Sequence, residues 1–427
     1  MRGYAVLCLA ILALAITSCR TARRPSVTGI GAASHKTPSP MKDSLPPFPS
    51  GILDFPPGPL SDLVARAEEY NLQIVYTRVE RLADGRTRFS DHAFHLRPDR
   101  YFYPASTVKL PVAILALQRL RELAVPGLDR NTTFLTDAGA DWQTAVTNDP
   151  MSADGRPTVA NYIRRIFQVS DNDAYNRLYE FLGPGYINRE LQRRGYPEAE
   201  IIHRLEVPLD EARNRITNPV RFLSPDGVVI YRQATLRYEA PYADRQERLG
   251  KAYQQGGRRV EGPMDFSRKN RIHLLSLHRI LQSVLYPGSV PEEQRFALAE
   301  DDLVFLRGCL SSLPREGGPP AFDPAAYPDT YCKFLYFGAD PREAIPPYLK
   351  VYNKVGDAYG HLLDIACFED RLHGVEFLMS AVVYVNADGV LNDDKYDYDS
   401  LGLPLLAELG RRVYEHERRL ASSARAR

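Results

Sequence analysis

Pro104-Ala105-Ser106-Thr107-Val108-Lys109-Leu110-Pro111-Val112-Ala113-Ile114-Leu115 is the stretch on which the reading of the fold turns. Residues three apart on a helix share a face, so Ser106 and Lys109 bring a hydroxyl and an amine together at the head of an apolar helix. Serine is a weak nucleophile until a neighbouring base takes its proton, and an amine held at that distance is such a base. The tetrad alone decides little. Ser39-Pro40-Met41-Lys42 repeats its spacing, and Pro111 removes a backbone donor early in the expected helix. Two further clusters follow in order. Ser170-Asp171-Asn172 is built of residues that also favour helix caps and turns, and Lys354-Val355-Gly356 closes a β-like run, with Asp357 and Gly360 after it.

Working outward, Leu60 to Tyr70 has helical apolar spacing and Leu72 to Val79 alternates into a strand that ends near a turn at Ala83-Asp84-Gly85. A mostly helical stretch runs from Ser106 to Leu182. Strand signals return only at Tyr348 to Lys354, Leu362 to Phe368 and Val375 to Val385, all rich in Val, Ile, Tyr and Phe. Pro404 then opens a helix with Leu406, Leu409, Val413 and Leu420 on one face. The expected fold is therefore α+β: an antiparallel sheet with strands from both ends of the chain, flanked by N- and C-terminal helices, and an all-helical subdomain between them. A cleft is expected where the two halves meet. Residues 222–270, rich in Tyr, Arg and Gly, fit neither half and read as an insertion.

The 427 residues are 44% hydrophobic and 25% charged, with a formal net charge of +1. That is ordinary globular composition, and its balanced charge implies no nucleic-acid partner. Arg2 precedes an apolar run from Ala5 to Ile16, too short to span a bilayer and ending in small residues, as in a secretory signal peptide over 1–18. Ile16-Thr17-Ser18-Cys19 resembles a bacterial lipobox, which makes Cys19 the lipidated residue. Residues 19–57 then form a Pro- and Ser-rich tether, 58–420 the folded domain and 421–427 a tail. Cys309, Cys332 and Cys367 allow one disulfide and require none. No Cys or His cluster has zinc spacing, His92-x-x-His95 reads as structural, and no cofactor or metal is expected.

The three clusters together, in this order, resemble the S-x-x-K, S-D-N and K-T-G signature of class A β-lactamases and the wider penicillin-recognising serine hydrolases. Pro157-Thr158-Val159-Ala160 resembles that family's approach to the second cluster, and Tyr359-Gly360 and Asp364-Ile365-Ala366 its continuation after the third. The resemblance spans residues 58–420, with 222–270 outside it. It implies that Ser106 is acylated while Lys109 accepts its proton, for which Lys109 must be neutral, and that burial and the charge of Lys354 push its pKa down. Ser170 would relay a proton to the leaving group, Asn172 would bind the substrate's amide, and Lys354, Val355 and Gly356 would line the substrate's carboxylate side. The backbone N–H groups of Ser106 and Asp357 would form the oxyanion hole.

Two departures qualify that expectation. Val355 stands where the family has a hydroxyl that binds the carboxylate of a β-lactam. The general base that frees the acyl-enzyme falls on Glu206 by counting from Ser170-Asp171-Asn172, but on Leu209 if Arg204-Leu205-Glu206 is matched to the family's Arg-Leu-Asp; a structural salt bridge is the other reading of Glu206. The expected function is a lipid-anchored serine hydrolase of the cell envelope, a monomer that opens a β-lactam or related cyclic amide with slow deacylation. The alternatives are a D,D-peptidase or esterase acting on peptidoglycan-like acyl substrates, and an inactive envelope binding protein.

Overall fold

The computed structural model describes residues 45–82 and 84–425. The signal peptide, Cys19 and most of the tether lie outside them. The chain opens with α1 (Pro59–Ala65), β1 (Gln73–Arg81) and β2 (Thr87–Phe94), then passes through a 3₁₀ turn, Ala105–Val108, into α2 (Lys109–Leu123). The helical subdomain continues with β3 (Thr133–Thr136), α3 (Val159–Val169), α4 (Asn172–Arg193) and α5 (Glu211–Asn214). Short strands follow: β4 (Val220–Leu223), β5 (Val229–Gln233), β6 (Arg248–Leu249), β7 (Ala252–Gln255), β8 (Arg258–Glu261) and β9 (Met264–Asp265). Next come α6 (Leu274–Leu285), α7 (Glu300–Ser311) and a single turn, α8 (Phe334–Phe337). The chain closes with β10 (Leu349–Ala358), β11 (His361–Asp370), β12 (Val375–Tyr384), β13 (Val390–Leu391) and α9 (Leu403–Arg425).

The main sheet has the order β10-β11-β12-β1-β2, antiparallel throughout, so both ends of the chain meet between β12 and β1. Its middle strands are apolar on both faces because helices cover both. Phe377, Met379, Ala381 and Val383 of β12 join Ile74, Leu63 and Leu406, Leu409 and Val413 of α9 in one core. The alternate residue Ser380 turns the other way and bonds His278 of α6 through Nδ1 at 2.8 Å. His278 also lies 2.8 Å from Thr77 Oγ1, and burial lowers its pKa to about 3, so it stays a neutral hydrogen-bonding plug. The period of two thus serves two cores at once.

In the other half α2 is buried nearly all round, between the sheet side and α3 and α4. Pro111 falls in its first turn, where backbone N–H groups lack intrahelical partners, and is tolerated there. α3 starts on Thr158, whose hydroxyl accepts from Asn161 N at 3.1 Å, and stops at Ser170, left-handed at φ 56°. α4 restarts two residues on, with the Asp171 carboxylate accepting from Ala174 N at 2.8 Å, and is kinked at Gly183-Pro184. Ser170 therefore sits in a tight corner between two capped helices.

Two expected boundaries are corrected. Residues 222–270, read as an insertion, are anchored to the rest of the fold: Phe222 of β4 is fully buried and stacks on Phe134 of β3 with ring centroids 4.8 Å apart, and Phe266 packs on Tyr101, Tyr103 and Tyr359. The tether ends earlier than residue 57, because Ala93 N donates to Pro46 O at 2.9 Å and Ile52 is a core residue; its prolines masked these apolar anchors. α9 runs through residues 421–425 of the expected tail.

Candidate active site

The 3₁₀ turn Ala105–Val108 presents Ser106, half-buried, at the N-terminal end of α2. The residue before it, Ala105, holds φ 46°, a left-handed conformation disfavoured for a residue with a Cβ. One turn on, Lys109 is fully buried. Its Nζ lies 2.8 Å from Ser106 Oγ, 2.5 Å from Ser170 O, 2.5 Å from Asn172 Oδ1 and 3.2 Å from Ser170 Oγ.

Donor counting assigns these contacts. The Ser170 carbonyl and Asn172 Oδ1 can only accept, so Lys109 donates to both. A neutral amine has two N–H groups and one lone pair; with both N–H groups engaged, the lone pair is left for the Ser106 hydroxyl to donate into. Burial pushes the Lys109 amine well below the ordinary lysine range, and the nearby charge of Lys354 lowers it further. Burial thus favours the neutral amine, and the hydrogen-bond contacts accommodate it.

Lys354 comes from β10, the edge strand, and is also buried. Its ammonium donates to Ser170 Oγ at 2.8 Å and to Val355 O at 2.8 Å. Ser170 Oγ therefore accepts from Lys354 and keeps its own proton free to donate. Burial lowers Lys354 as well. The turn carrying Ser106, the α3–α4 corner and the sheet edge thus meet at one point, which brings Ser106, Lys109, Ser170, Asn172 and Lys354 into one hydrogen-bonded set.

The other expected residues stand differently. A Cβ on Gly356 would lie 3.0 Å from Pro104 O and 3.1 Å from the backbone nitrogens of Ser106 and Thr107. Gly356 therefore makes room for the Ser106 turn. Val355 is buried and faces a cavity of about 540 Å³ with Phe334, Phe337, Leu362 and Leu403. Asp357 and Ser106 line a second cavity of about 570 Å³, together with Asn172 and Glu206.

Glu206 is exposed, left-handed at φ 56°, and makes no ion pair among the described residues, against the salt-bridge reading. The ion pair belongs to its neighbour: Arg204 Nε lies 2.9 Å from Glu180 Oε1. Asn176 of α4 clasps Leu205 through both backbone groups, at 3.0 and 2.9 Å, so the loop is fixed to α4 with Glu206 on the cavity wall. Leu209 lines an adjoining cavity that does not include Ser106. Residues not singled out from the sequence also line the Ser106 cavity: Tyr103, Asn392, Asp394, Tyr396, Tyr398 and Asp399. The acidic, tyrosine-rich run Asn392-Asp393-Asp394-Lys395-Tyr396-Asp397-Tyr398-Asp399 was the available signal for most of them.

Among solved structures, the chain is similar to a β-lactamase from Desulfarculus baarsii DSM 2075, at 18% identity over 83% of this chain and 94% of that one with a TM-score of 0.42. It is also similar to a class A β-lactamase from Clostridium kluyveri DSM 555, at 15% identity over 83% and 97% with a TM-score of 0.45. No curated protein matches the sequence. The model of the Beta-lactamase enzyme family matches residues 60–239. That segment contains Ser106, Lys109, Ser170 and Asn172, and over it the chain is similar to the Beta-lactamase enzyme family.

Proposed function

We propose that this protein is a serine hydrolase that works through an acyl-enzyme at Ser106. The observation that carries the reading is the 2.8 Å contact from Lys109 Nζ to Ser106 Oγ, made while both donors of a neutral amine are engaged elsewhere. Ser106 Oγ attacks the acyl carbon of an amide or ester, and its proton passes to Lys109. Ser170 returns a proton to the leaving nitrogen or oxygen, and water then releases the acid and regenerates Ser106. On this reading the substrate is a β-lactam or related cyclic amide. Of the carboxylates on the cavity wall, Glu206 is assigned to activate that water, with deacylation slow.

A second reading, a D,D-peptidase or esterase of the cell envelope, is favoured by Val355, which offers an apolar wall where a β-lactam carboxylate would need a hydroxyl. Intact-protein mass spectrometry after exposure to a fluorescent penicillin and to activated esters, with Ser106→Ala as control, tests both. A short-lived Ser106 penicillin adduct supports lactamase action, and one lasting hours supports the second reading. Absence of any Ser106 adduct overturns the acyl-enzyme itself. Export and lipidation at Cys19 belong to the same proposal; labelling with an alkyne fatty acid that survives in Cys19→Ser would overturn them.

A further inference from the structure

The wall of the Ser106 cavity has one electrostatic character. Glu206, Asp394 and Asp399 line it, are exposed, and are engaged by no hydrogen-bond donor or cation among the described residues; Asp357 also lines it, with Lys354 and Lys109 nearby and its pKa raised by burial. No lysine or arginine lines it. Three exposed, unpaired carboxylates around about 570 Å³ make a negative mouth for an approaching anion. The same wall carries Tyr103, Tyr359, Tyr396 and Tyr398; Tyr103 is buried and stacks on His203, and the Lys269 ammonium lies 6.0 Å from the Tyr359 ring centroid. Tyrosine faces attract cations through the ring quadrupole, most strongly ammonium groups that are weakly hydrated.

The groups that would hold an anion are independently withdrawn. Lys354 directs two of its three N–H groups at Ser170 Oγ and Val355 O, Lys109 is held as a base, and the Val355 side chain has no donor to offer. From these observations we propose that the substrate of the Ser106 site carries a positive charge, an ammonium or quaternary ammonium group seated among the acidic and tyrosine side chains of the cavity mouth. The proposal rests on Ser106 being the acylated residue and adds the class of substrate it receives.

Matched thioesters test it. One series differs only in a terminal trimethylammonium, tert-butyl or carboxylate group, placed first on the acyl side and then on the thiol side, with thiol release read against Ser106→Ala. The expected result, in at least one series, is a kcat/KM about tenfold or more higher for the cationic member than for its neutral isostere. That preference falls towards unity as salt rises and in the Asp394→Asn/Asp399→Asn variant. Asn is comfortable at the φ of 59° that Asp394 adopts. Ser106-dependent turnover in which the neutral or anionic member does as well in both series overturns the charge assignment and leaves the acyl-enzyme standing. Absence of Ser106-dependent turnover overturns the acyl-enzyme instead. Calorimetric binding of the non-hydrolysed amide analogues to Ser106→Ala then decides the charge assignment: tighter binding of the cationic amide supports it, and equal binding refutes it.

Discussion

Gly356→Ala probes how closely the sheet edge is fitted to the nucleophile's turn. The added Cβ would stand 3.0 Å from Pro104 O and 3.1 Å from the nitrogens of Ser106 and Thr107. These contacts are about 0.4 Å short of relaxed separation. All three neighbours are backbone, so no flexible side chain can yield, and Gly356 is not among the residues at positive φ, so the effect is steric alone. Forcing the turn away costs about 1–3 kcal/mol of stability, the usual toll of overpacking. It also moves Ser106 Oγ and its N–H relative to Lys109 and Ser170. Losing one oxyanion donor outright costs about 3 kcal/mol, and a partial displacement is expected to slow acylation about tenfold, or about 1.4 kcal/mol. Stopped-flow labelling with an acylating fluorescent ester and urea unfolding measure the two effects. Gly308→Ala is the contrast: it lies exposed in α7 with open space around its added methyl, and should gain about 0.5–1 kcal/mol. Wild-type acylation together with wild-type stability in Gly356→Ala would refute the argument, and lost stability with an unchanged acylation rate would refute its link to the nucleophile.

Lys109→Met should abolish acylation, slowing it by about a thousandfold or more in ester labelling. A buried amine with a lowered pKa binds fewer protons folded than unfolded, so wild-type stability rises with pH towards the ordinary lysine value; the Met variant should lose the Lys109 share of that slope in urea unfolding followed across pH, while Lys354, Lys333 and Lys269 keep theirs. Lys354→Met removes a positive charge that helps depress Lys109, so the Lys109 pKa rises and the acidic limb of the acylation profile moves to higher pH; an unmoved limb would assign that limb to another group. Asn176→Ala leaves both backbone groups of Leu205 unpaired and should cost about 1–3 kcal/mol in thermal or urea unfolding. It should also loosen the loop carrying Glu206, read as slower deacylation than acylation relative to wild type.

The α+β class, the strand runs near both ends and the ordered set Ser106, Lys109, Ser170 and Lys354 were legible in the sequence, because each depends on local spacing: three residues along a helix, two along a strand, a cap at a corner. Val355 as a departure was legible for the same reason. What only the tertiary structure decided depends on residues far apart in the chain. The anchoring of residues 222–270 depends on Phe222 meeting Phe134 and Phe266 meeting Tyr359. The close fit of Gly356 needs β10 laid against the Ser106 turn. Glu206 makes no ion pair among the described residues, whereas Arg204 turns inward to Glu180. The charge of the cavity mouth likewise comes from pieces around positions 206 and 394–399, which no window of sequence contains together. Spacing along the chain determines which side chains share a face, but the long-range packing of β10, α4 and the 392–399 segment decides what each face meets.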